Sequence, residues 1–299
     1  MQPPRPPADP QADEGGVAAG EAWLAYLRAG AGPRTVVLLH GWPQTSYAWR
    51  HVIPLLHADF RTIAFDLRGV GRSSPERRGF EKAAMAGDVH AALAGLQVER
   101  PILVGHDMGA LVGYAFARRF PADLSGLVIV DTPLPGIDGW AETIASSAYW
   151  HLGFHRAAGR PRPIADALVS GRQAVYFRSF IDRFAAYPDA ITDDDIAVYA
   201  RGYAGDDRLE AGFGMFRTLA LDISDNETRV GQLAVPVLAV CCEFSHASVL
   251  DTIADGLRRA GAADVRTAML RDCGHWPAEE RPAALAGIIR DFAASVRAS

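Results

Sequence analysis

The chain has 299 residues, of which 49% are hydrophobic and 22% are charged, and its formal net charge is −5 at pH 7. This composition is typical of one globular α/β domain that can carry an inserted subdomain, and it excludes a largely disordered chain. Because the charge is negative and no basic stripe is present, nucleic acid and anionic membrane surfaces are poor candidate partners.

The cysteines and the first residues of the chain add further limits. Three cysteines, Cys241, Cys242 and Cys273, neither make a disulfide framework nor have metal-ligand spacing, so we expect no metal and no cofactor. No apolar run reaches the roughly 18 residues that a membrane span needs. Residues 1–16 are rich in proline and alanine and lack the apolar segment of a secretory signal. We interpret them as a disordered leader and expect a cytoplasmic protein.

Strand and helix patterns alternate along most of the chain. Strands are predicted at residues 21–28, 35–39, 61–65, 101–104, 127–130, 235–241 and 265–270, and helices at residues 46–57, 80–96, 108–120 and 282–296. The strand segments are short apolar runs, whereas the helical segments repeat apolar residues every three or four positions. This alternation predicts a doubly wound, mostly parallel sheet.

Residues 134–227 interrupt this alternation. The segment is helical in pattern, rich in aromatic residues, and contains no convincing strand. We interpret it as a helical cap inserted after the strand at residues 127–130, which divides the core domain into residues 17–133 and 228–299. Most of its aromatic side chains are expected to pack the cap against that core.

A glycine-flanked aspartate follows the strand at residues 101–104. The sequence GHDMG at residues 105–109 has the G-x-nucleophile-x-G form of a strand–turn–helix elbow, with Asp107 at the nucleophile position. Side chains at Gly105 or Gly109 would collide with the neighbouring strand and helix. Alone, the motif does not distinguish an elbow from an ordinary glycine-rich turn.

Two further motifs favour the elbow. HGWP at residues 40–43 follows a buried strand, and DCGHW at residues 272–276 follows the last strand. In this order, the three motifs resemble the α/β-hydrolase superfamily, specifically its aspartate-nucleophile branch of epoxide hydrolases and dehalogenases. The resemblance extends over nearly all of the chain beyond about residue 15, and it implies the α/β-hydrolase fold and a Trp42–Pro43 cis peptide.

An aspartate nucleophile indicates a particular chemistry. A carboxylate attacks a saturated carbon and forms an alkyl ester, whereas the serine of an esterase attacks carbonyl carbons. By the resemblance, His275 is the general base that activates water to cleave this ester. The alternative for His275 is a loop histidine that caps a turn.

The resemblance also implies an acid for the histidine and an oxyanion hole. Asp131 and Glu243 both occupy positions that supply the acid in different branches, and we favour Asp131 because the proline-flanked segment around it resembles one branch of epoxide hydrolases, the Cif type. Asp131 could instead cap the first helix of the cap. The backbone N–H groups of Trp42 and Met108 are expected to stabilise the oxyanion.

The leaving group is suggested by the residues around the nucleophile and in the cap. Haloalkane dehalogenases usually have tryptophan directly after the nucleophile, whereas this chain has Met108. Fluoroacetate dehalogenases have arginines just after the nucleophile, whereas this chain has no cation before Arg118. Both differences disfavour a halide as the leaving group. The segment YWHLGF at residues 149–154 resembles the Cif-type cap, in which a histidine and a tyrosine assist ring opening. His151 matches the histidine, but the tyrosine position is Phe216, which has no hydroxyl.

These observations predict a hydrolase that opens a small apolar epoxide to a diol, with Asp107, His275, Asp131 and His151 as catalytic residues. The expected substrate-binding residues are Tyr149, Trp150, Met215, Phe216 and Trp276. The alternatives are a dehalogenase of neutral halides, in which His151 and Trp150 hold the halide, and a non-catalytic ligand-binding homologue, which the phenylalanine at position 216 suggests. The sequence leaves open whether the chain forms a homodimer and what the adjacent cysteines do.

Overall fold

The computed structural model describes residues 12–228 and 233–296. Its strands are β1 (Asp13–Ala19), β2 (Ala22–Ala29), β3 (Thr35–Leu39), β4 (Arg61–Phe65), β5 (Ile102–His106), β6 (Gly126–Val130), β7 (Val237–Cys242) and β8 (Val265–Leu270). They form one sheet in the order β1-β2-β4-β3-β5-β6-β7-β8. β2 pairs antiparallel with β1 and with β4, and the other neighbouring strands are parallel.

Both faces of the sheet are buried. Successive residues of β3 belong in turn to two apolar clusters, with Val37 and Leu39 in one and Val36 and Leu38 in the other. Because side chains alternate between the faces of a strand, the two clusters are the two faces of the sheet. This arrangement explains why β3 appears in the sequence as a continuous apolar run.

The helices of the core and of the segment between β6 and β7 follow in chain order. The core contains α1 (Ile53–Leu56), α2 (Lys82–Gly95) and α3 (Met108–Arg119) before that segment. Within it lie α4 (Trp140–Ile144), α5 (Trp150–Arg156), α6 (Ile164–Val169), α7 (Gln173–Phe184), α8 (Asp193–Gly202), α9 (Asp206–Arg217) and α10 (Leu219–Thr228). The core then continues with α11 (Leu250–Arg259), α12 (Pro277–Glu280) and α13 (Pro282–Ser295).

The predicted α/β-hydrolase architecture, a mostly parallel sheet with an inserted helical cap, is confirmed. Between β6 and β7, the described residues form helices and no named strand. The last of these helices extends to Thr228, so the predicted boundary after residue 227 cuts through its final turn. No helix among the described residues is long and apolar enough to cross a membrane.

Two local predictions are corrected. Residues 13–16, assigned to a disordered leader, belong to β1, because a two-residue turn with Gly20 at φ 66° lets this segment pair with β2. Residues 1–11 of that leader lie outside the described part of the chain. The helix predicted over residues 46–57 consists of a 3₁₀ turn, Ser46–Trp49, and the short α1. Pro54 lacks the N–H that would continue one helix through both pieces.

A buried ion pair joins the core to the cap. Lys82 begins α2, and its Nζ lies 2.8 Å from Asp222 Oδ2 on α10. The same ammonium donates to the carbonyl of Met215, and the Lys82 backbone N–H donates to Asp222 Oδ1. Both side chains are almost completely buried, so the lysine charge depends on these partners for its stabilisation.

Removing the ammonium should therefore destabilise the fold. Lys82→Met leaves the Asp222 carboxylate buried without its counter-charge, and we expect it to lower the free energy of unfolding by about 3–5 kcal/mol. The double variant Lys82→Met/Asp222→Asn should recover part of this loss, because it removes the second charge while keeping an acceptor for the backbone N–H. Urea denaturation measures the free energy of unfolding of both variants. A double variant no more stable than Lys82→Met would contradict the stabilising role of this ion pair.

Candidate active site

The loop between β5 and α3 is a sharp elbow that carries Asp107. This residue has φ 48° and ψ −120°, a strained conformation for a side chain other than glycine. A Cβ on Gly105 would lie 2.3 Å from the carbonyl oxygen of Gly109, and a Cβ on Gly109 would lie 2.3 Å from the carbonyl oxygen of Leu39. Glycine is therefore required on both sides of the aspartate, as the motif predicted.

Two backbone amides hold one oxygen of the Asp107 carboxylate. Oδ1 accepts hydrogen bonds from the N–H of Trp42, at 3.0 Å, and from the N–H of Met108. The Trp42–Pro43 peptide is cis, as expected. A Cβ on Gly41 would lie 2.7 Å from the Asp107 Cβ, so this loop can approach the elbow only with glycine there. The second carboxylate oxygen, Oδ2, lies 3.8 Å from His275 Nε2.

His275 lies between two carboxylates. Its Nδ1 donates to Asp131 Oδ2 at 2.7 Å, on the side opposite Asp107. Asp131 follows β6 and is completely buried, and its Oδ1 accepts a hydrogen bond from the Cys242 N–H at 2.7 Å. Glu243, the other candidate acid, binds the N–H of Asp272 instead. Asp131 is therefore the carboxylate that orients the imidazole.

The charges of these groups are strongly coupled. Burial alone would raise the pKa of Asp107, but the imidazole of His275, 3.8 Å away, and the Trp42 N–H outweigh it and lower that pKa to about 2. Burial would likewise lower the pKa of His275, yet its hydrogen bond to Asp131 and the negative charges of Asp131 and Asp107 raise it to about 10. At neutral pH, the site thus contains an imidazolium between two carboxylates.

A second histidine, which no sequence motif identifies, lies beside Asp131. His246 lies in the loop after β7, with its Nδ1 3.3 Å from Asp131 Oδ2 and its Nε2 2.6 Å from the hydroxyl of Tyr149 on the cap. No motif surrounds this histidine in the sequence. Its position shortly after a parallel strand is the one signal that could have found it, because the ends of such strands share one edge of the sheet.

Asp131, His246 and His275 are close enough to be considered as metal ligands. One ligand atom from each lies within 4.8 Å of the others. Two donors of a tetrahedral site with bonds of about 2.1 Å lie roughly 3.4 Å apart. Since His275 Nδ1 and Asp131 Oδ2 are only 2.7 Å apart, their contact has the length of a hydrogen bond and fits a metal poorly.

The cavity above Asp107 is mostly apolar. Its volume, including the part that opens to solvent, is about 610 Å³. Aromatic and aliphatic side chains from the cap and the core make up most of the wall, among them Leu111, Trp140, Leu152, Phe180, Phe184 and Phe216. The polar groups that face it include Asp107, His275, His246, His151 and Tyr149. Among the described lining residues there is no arginine and no lysine.

The structure brings some of the predicted cap residues to this cavity. His151, Tyr149 and Phe216 all line it. His151 is buried, its Nδ1 has no hydrogen-bond partner among the described residues, and burial lowers its pKa to about 4. The imidazole is therefore neutral at pH 7 and still has one N–H to donate. Its ring packs edge-on against Phe180, with the centroids 5.0 Å apart.

The other three predicted substrate-binding residues, Trp150, Met215 and Trp276, are not among the described residues that line this cavity. Trp150 is 48% exposed, because on the short helix α5 it faces outward where His151 faces inward. Met215 is buried on α9 and contributes its carbonyl to Lys82. Trp276 donates its indole N–H to the carbonyl of Ile181, at 3.0 Å, and so fastens α7 to the core.

Comparison with known proteins agrees with this geometry. A family model described as alpha/beta hydrolase fold matches residues 34–282. The chain is 32% identical over 266 residues to the soluble epoxide hydrolase of Corynebacterium sp. (strain C12), covering 87% of this chain and 89% of that protein. A solved structure of the epoxide hydrolase CorEH superposes with a TM-score of 0.86 at 28% identity, covering 96% of this chain and all of that one. The fluoroacetate dehalogenase of Burkholderia sp. is 30% identical over 164 residues, or 53% of each chain.

The chain therefore belongs to the alpha/beta hydrolase fold family, and it is a hydrolase. Its relatives include both epoxide hydrolases and a dehalogenase.

The raised pKa of His275 predicts a pH dependence of stability. Between the ordinary value of 6.5 and the folded value of about 10, the folded chain keeps a proton that the unfolded chain has lost. The stabilisation of the fold by the charged His275 is therefore complete below pH 6.5 and is lost as the pH rises towards 10. The free energy of unfolding should fall by up to about 1.4 kcal/mol per pH unit over this range.

Urea denaturation across this pH range tests the expectation. As the pH rises, the free energy of unfolding of His275→Gln should fall less than that of the wild type. For Asp107→Asn it should fall by an intermediate amount, because one of the two carboxylates beside His275 remains. Equal slopes for the wild type and His275→Gln would rule out the charged histidine.

Proposed function

We propose that this hydrolase opens small apolar epoxides to diols through an alkyl ester on Asp107. One observation carries the proposal: the two amides of Trp42 and Met108 hold Asp107 Oδ1, which leaves Oδ2 as the free oxygen beside His275. A carboxylate fixed in this way presents one nucleophilic oxygen to a saturated carbon in the cavity.

In the first half-reaction, Oδ2 attacks an epoxide carbon and the ring C–O bond breaks. The new ester bond joins Oδ2 to the substrate, and the ring oxygen becomes an alkoxide that takes up a proton. His151 faces the same cavity with a neutral imidazole, and its N–H polarises the ring oxygen as the bond breaks. The apolar wall excludes competing water from this step.

Esterification then changes the charge of the site. It removes the negative charge of Asp107, which is one of the two carboxylates that raise the pKa of His275. The imidazolium consequently loses its proton, which balances the proton that the alkoxide takes up. Formation of the intermediate thus converts His275 from an acid into the base that the next step requires.

In the second half-reaction, neutral His275 removes a proton from water, and the hydroxide adds to the Asp107 carbonyl carbon. The charge develops on Oδ1, which the amides of Trp42 and Met108 already contact. Collapse of this intermediate breaks the bond between the carbonyl carbon and Oδ2. The departing alkoxide takes the proton of the newly added hydroxyl, which releases the diol and restores the carboxylate. Asp131 keeps the imidazole oriented and stabilises its charge, because it holds Nδ1 at 2.7 Å.

The halide alternative has weaker support. The fluoroacetate dehalogenase relative matches about half of this chain. A haloacid would bring a carboxylate into a cavity whose described lining has no arginine or lysine to pair with it. Trp150, the indole considered for holding a halide, lies on the surface. Similarity to the Corynebacterium epoxide hydrolase over most of both chains favours the epoxide.

A trapped intermediate is the principal test. His275→Gln keeps the nucleophile but removes the base, so incubation with styrene oxide should add the mass of one substrate to the peptide that contains Asp107. The turnover rate should fall at least about 1,000-fold. Mass spectrometry of the digested protein locates the adduct, and Asp107→Asn is the matched control that should form none.

The origin of the diol oxygen gives a second measurement. In water enriched in heavy oxygen, a single turnover should label the Asp107 carboxylate and leave the first diol unlabelled, because Oδ2 departs with the product. Label in the first diol instead would mean direct attack of water on the epoxide. Halide release from a panel of haloalkanes, together with no diol from any epoxide, would favour the dehalogenase.

His151 should affect ring opening more than ester hydrolysis. His151→Leu removes the N–H that polarises the ring oxygen, and we expect the rate of ester formation to fall about 10- to 100-fold. Stopped-flow fluorescence can separate the two steps, because tryptophans lie near the nucleophile. An unchanged rate of ester formation would exclude His151 from the first half-reaction.

A further inference from the structure

One phenolic hydroxyl in the described cavity wall can take the place of the hydroxyl that Phe216 lacks. Tyr149 lines the same cavity as Asp107 and His151, and its ring centroid lies 5.7 Å from that of His151. Thr132 and Thr143 also line the cavity, but their hydroxyls already donate to the carbonyls of Pro133 and Gly139. Tyr149 is therefore the best-placed hydroxyl to reach a substrate oxygen.

The Tyr149 hydroxyl is held in place from behind. His246 Nε2 lies 2.6 Å from it, and His246 Nδ1 lies 3.3 Å from Asp131 Oδ2 and 2.9 Å from Ser245 Oγ. His246 and Asp131 are both buried. A continuous polar chain thus leads from the carboxylate that orients His275, through a second imidazole, to a phenol that faces the cavity.

We propose that Tyr149 is the second donor to the epoxide oxygen and protonates it as the ring opens, and that His246 is the residue that positions and recharges this phenol. This inference rests on the proposed function, because it concerns the first half-reaction of the same cycle. In the imidazolium form of His246, Nε2 donates to the phenol oxygen, and Nδ1 donates towards Ser245 Oγ, at 2.9 Å, and Asp131 Oδ2, at 3.3 Å. The phenolic hydrogen then remains free to point into the cavity.

The protons of this step balance. As Asp107 Oδ2 bonds to the epoxide carbon and the ring C–O bond breaks, the phenolic proton passes to the new alkoxide. The Nε2 proton of His246 passes to the phenolate, which leaves a neutral imidazole and an intact tyrosine. His246 and Tyr149 also line a second cavity beside the first, together with Arg183 and Phe244. The proton that His246 regains from solvent is balanced by the proton that His275 releases in the same half-reaction.

A comparison of two leaving groups tests this role. An alkoxide needs a proton to leave, whereas bromide does not. In the His275→Gln background, where the ester accumulates, the rates of Asp107 adduct formation from styrene oxide and from phenethyl bromide are measured by mass spectrometry. Adding Tyr149→Phe should slow the epoxide reaction about 100-fold and the bromide reaction at least tenfold less. A purely structural role for Tyr149 would slow both reactions equally, and that result would overturn the proposal.

Tyr176 offers a matched control. Its hydroxyl also binds a buried cap histidine, with His155 Nε2 at 2.7 Å, but Tyr176 does not line the cavity. Tyr176→Phe in the same background should leave the ratio of epoxide to bromide rates unchanged. A ratio that falls as far as in Tyr149→Phe would mean that the effect comes from loosening the cap, which would contradict a donor role.

Variants of His246 test its positioning role. His246→Leu should lower the rate ratio towards that of Tyr149→Phe, and His246→Gln should restore part of it, because its amide can still donate to the phenol. An unchanged ratio in His246→Leu would remove His246 from the proposal. If no adduct forms with either reagent even when Tyr149 is intact, the Asp107 ester mechanism itself fails. An adduct whose rate ratio does not respond to Tyr149→Phe overturns only the present inference.

Discussion

The active site depends on one electrostatic arrangement, an imidazolium held between two carboxylates. Asp107 and Asp131 lie on opposite sides of His275; the side chains of Asp131 and His275 are buried, and that of Asp107 is 22% exposed towards the cavity. Each carboxylate keeps the imidazole charged, and the imidazolium keeps both carboxylates ionised. In the proposed cycle, a change at any one of them alters the protonation of the others, which couples bond formation at Asp107 to activation of water.

The geometry of this arrangement requires glycine at three positions, because a larger residue would not fit there. Gly41, Gly105 and Gly109 each occupy a point where a Cβ would overlap neighbouring atoms. These steric limits act between residues that lie close together at the strand ends. For this reason they appear in the sequence as recognisable motifs. The sequence alone could therefore predict that Asp107, His275 and the amides of Trp42 and Met108 lie together. Asp131 could be preferred over Glu243, but the choice required the observed contact with His275.

Other features could not be read from the chain, because they depend on how distant segments meet. His246 acquires its place through a contact with Tyr149, 97 residues earlier, and no local pattern encodes that approach. Trp150 and His151 are adjacent, and the orientation of the short helix α5 decides which of them faces the cavity. The assignment of residues 13–16 to a leader followed the average composition of a proline-rich segment, although its last residues pair with β2. The neighbouring cysteines are buried free thiols, and the Cys242 backbone N–H donates to Asp131.

The cap is joined to the core by apolar and polar contacts of different kinds. The Trp42 indole packs against Phe180 and Phe216 from the cap, while the buried pair of Lys82 and Asp222 links α2 to α10. Lys82 is the only lysine of the chain, so its side chain carries the sole ε-amino group. An amine-reactive reagent can reach that group only when α10 and the start of α2 separate. Acylation of Lys82, distinguished by peptide mass from acylation of an α-amino group, would therefore record how often α10 and the start of α2 separate, without an engineered label.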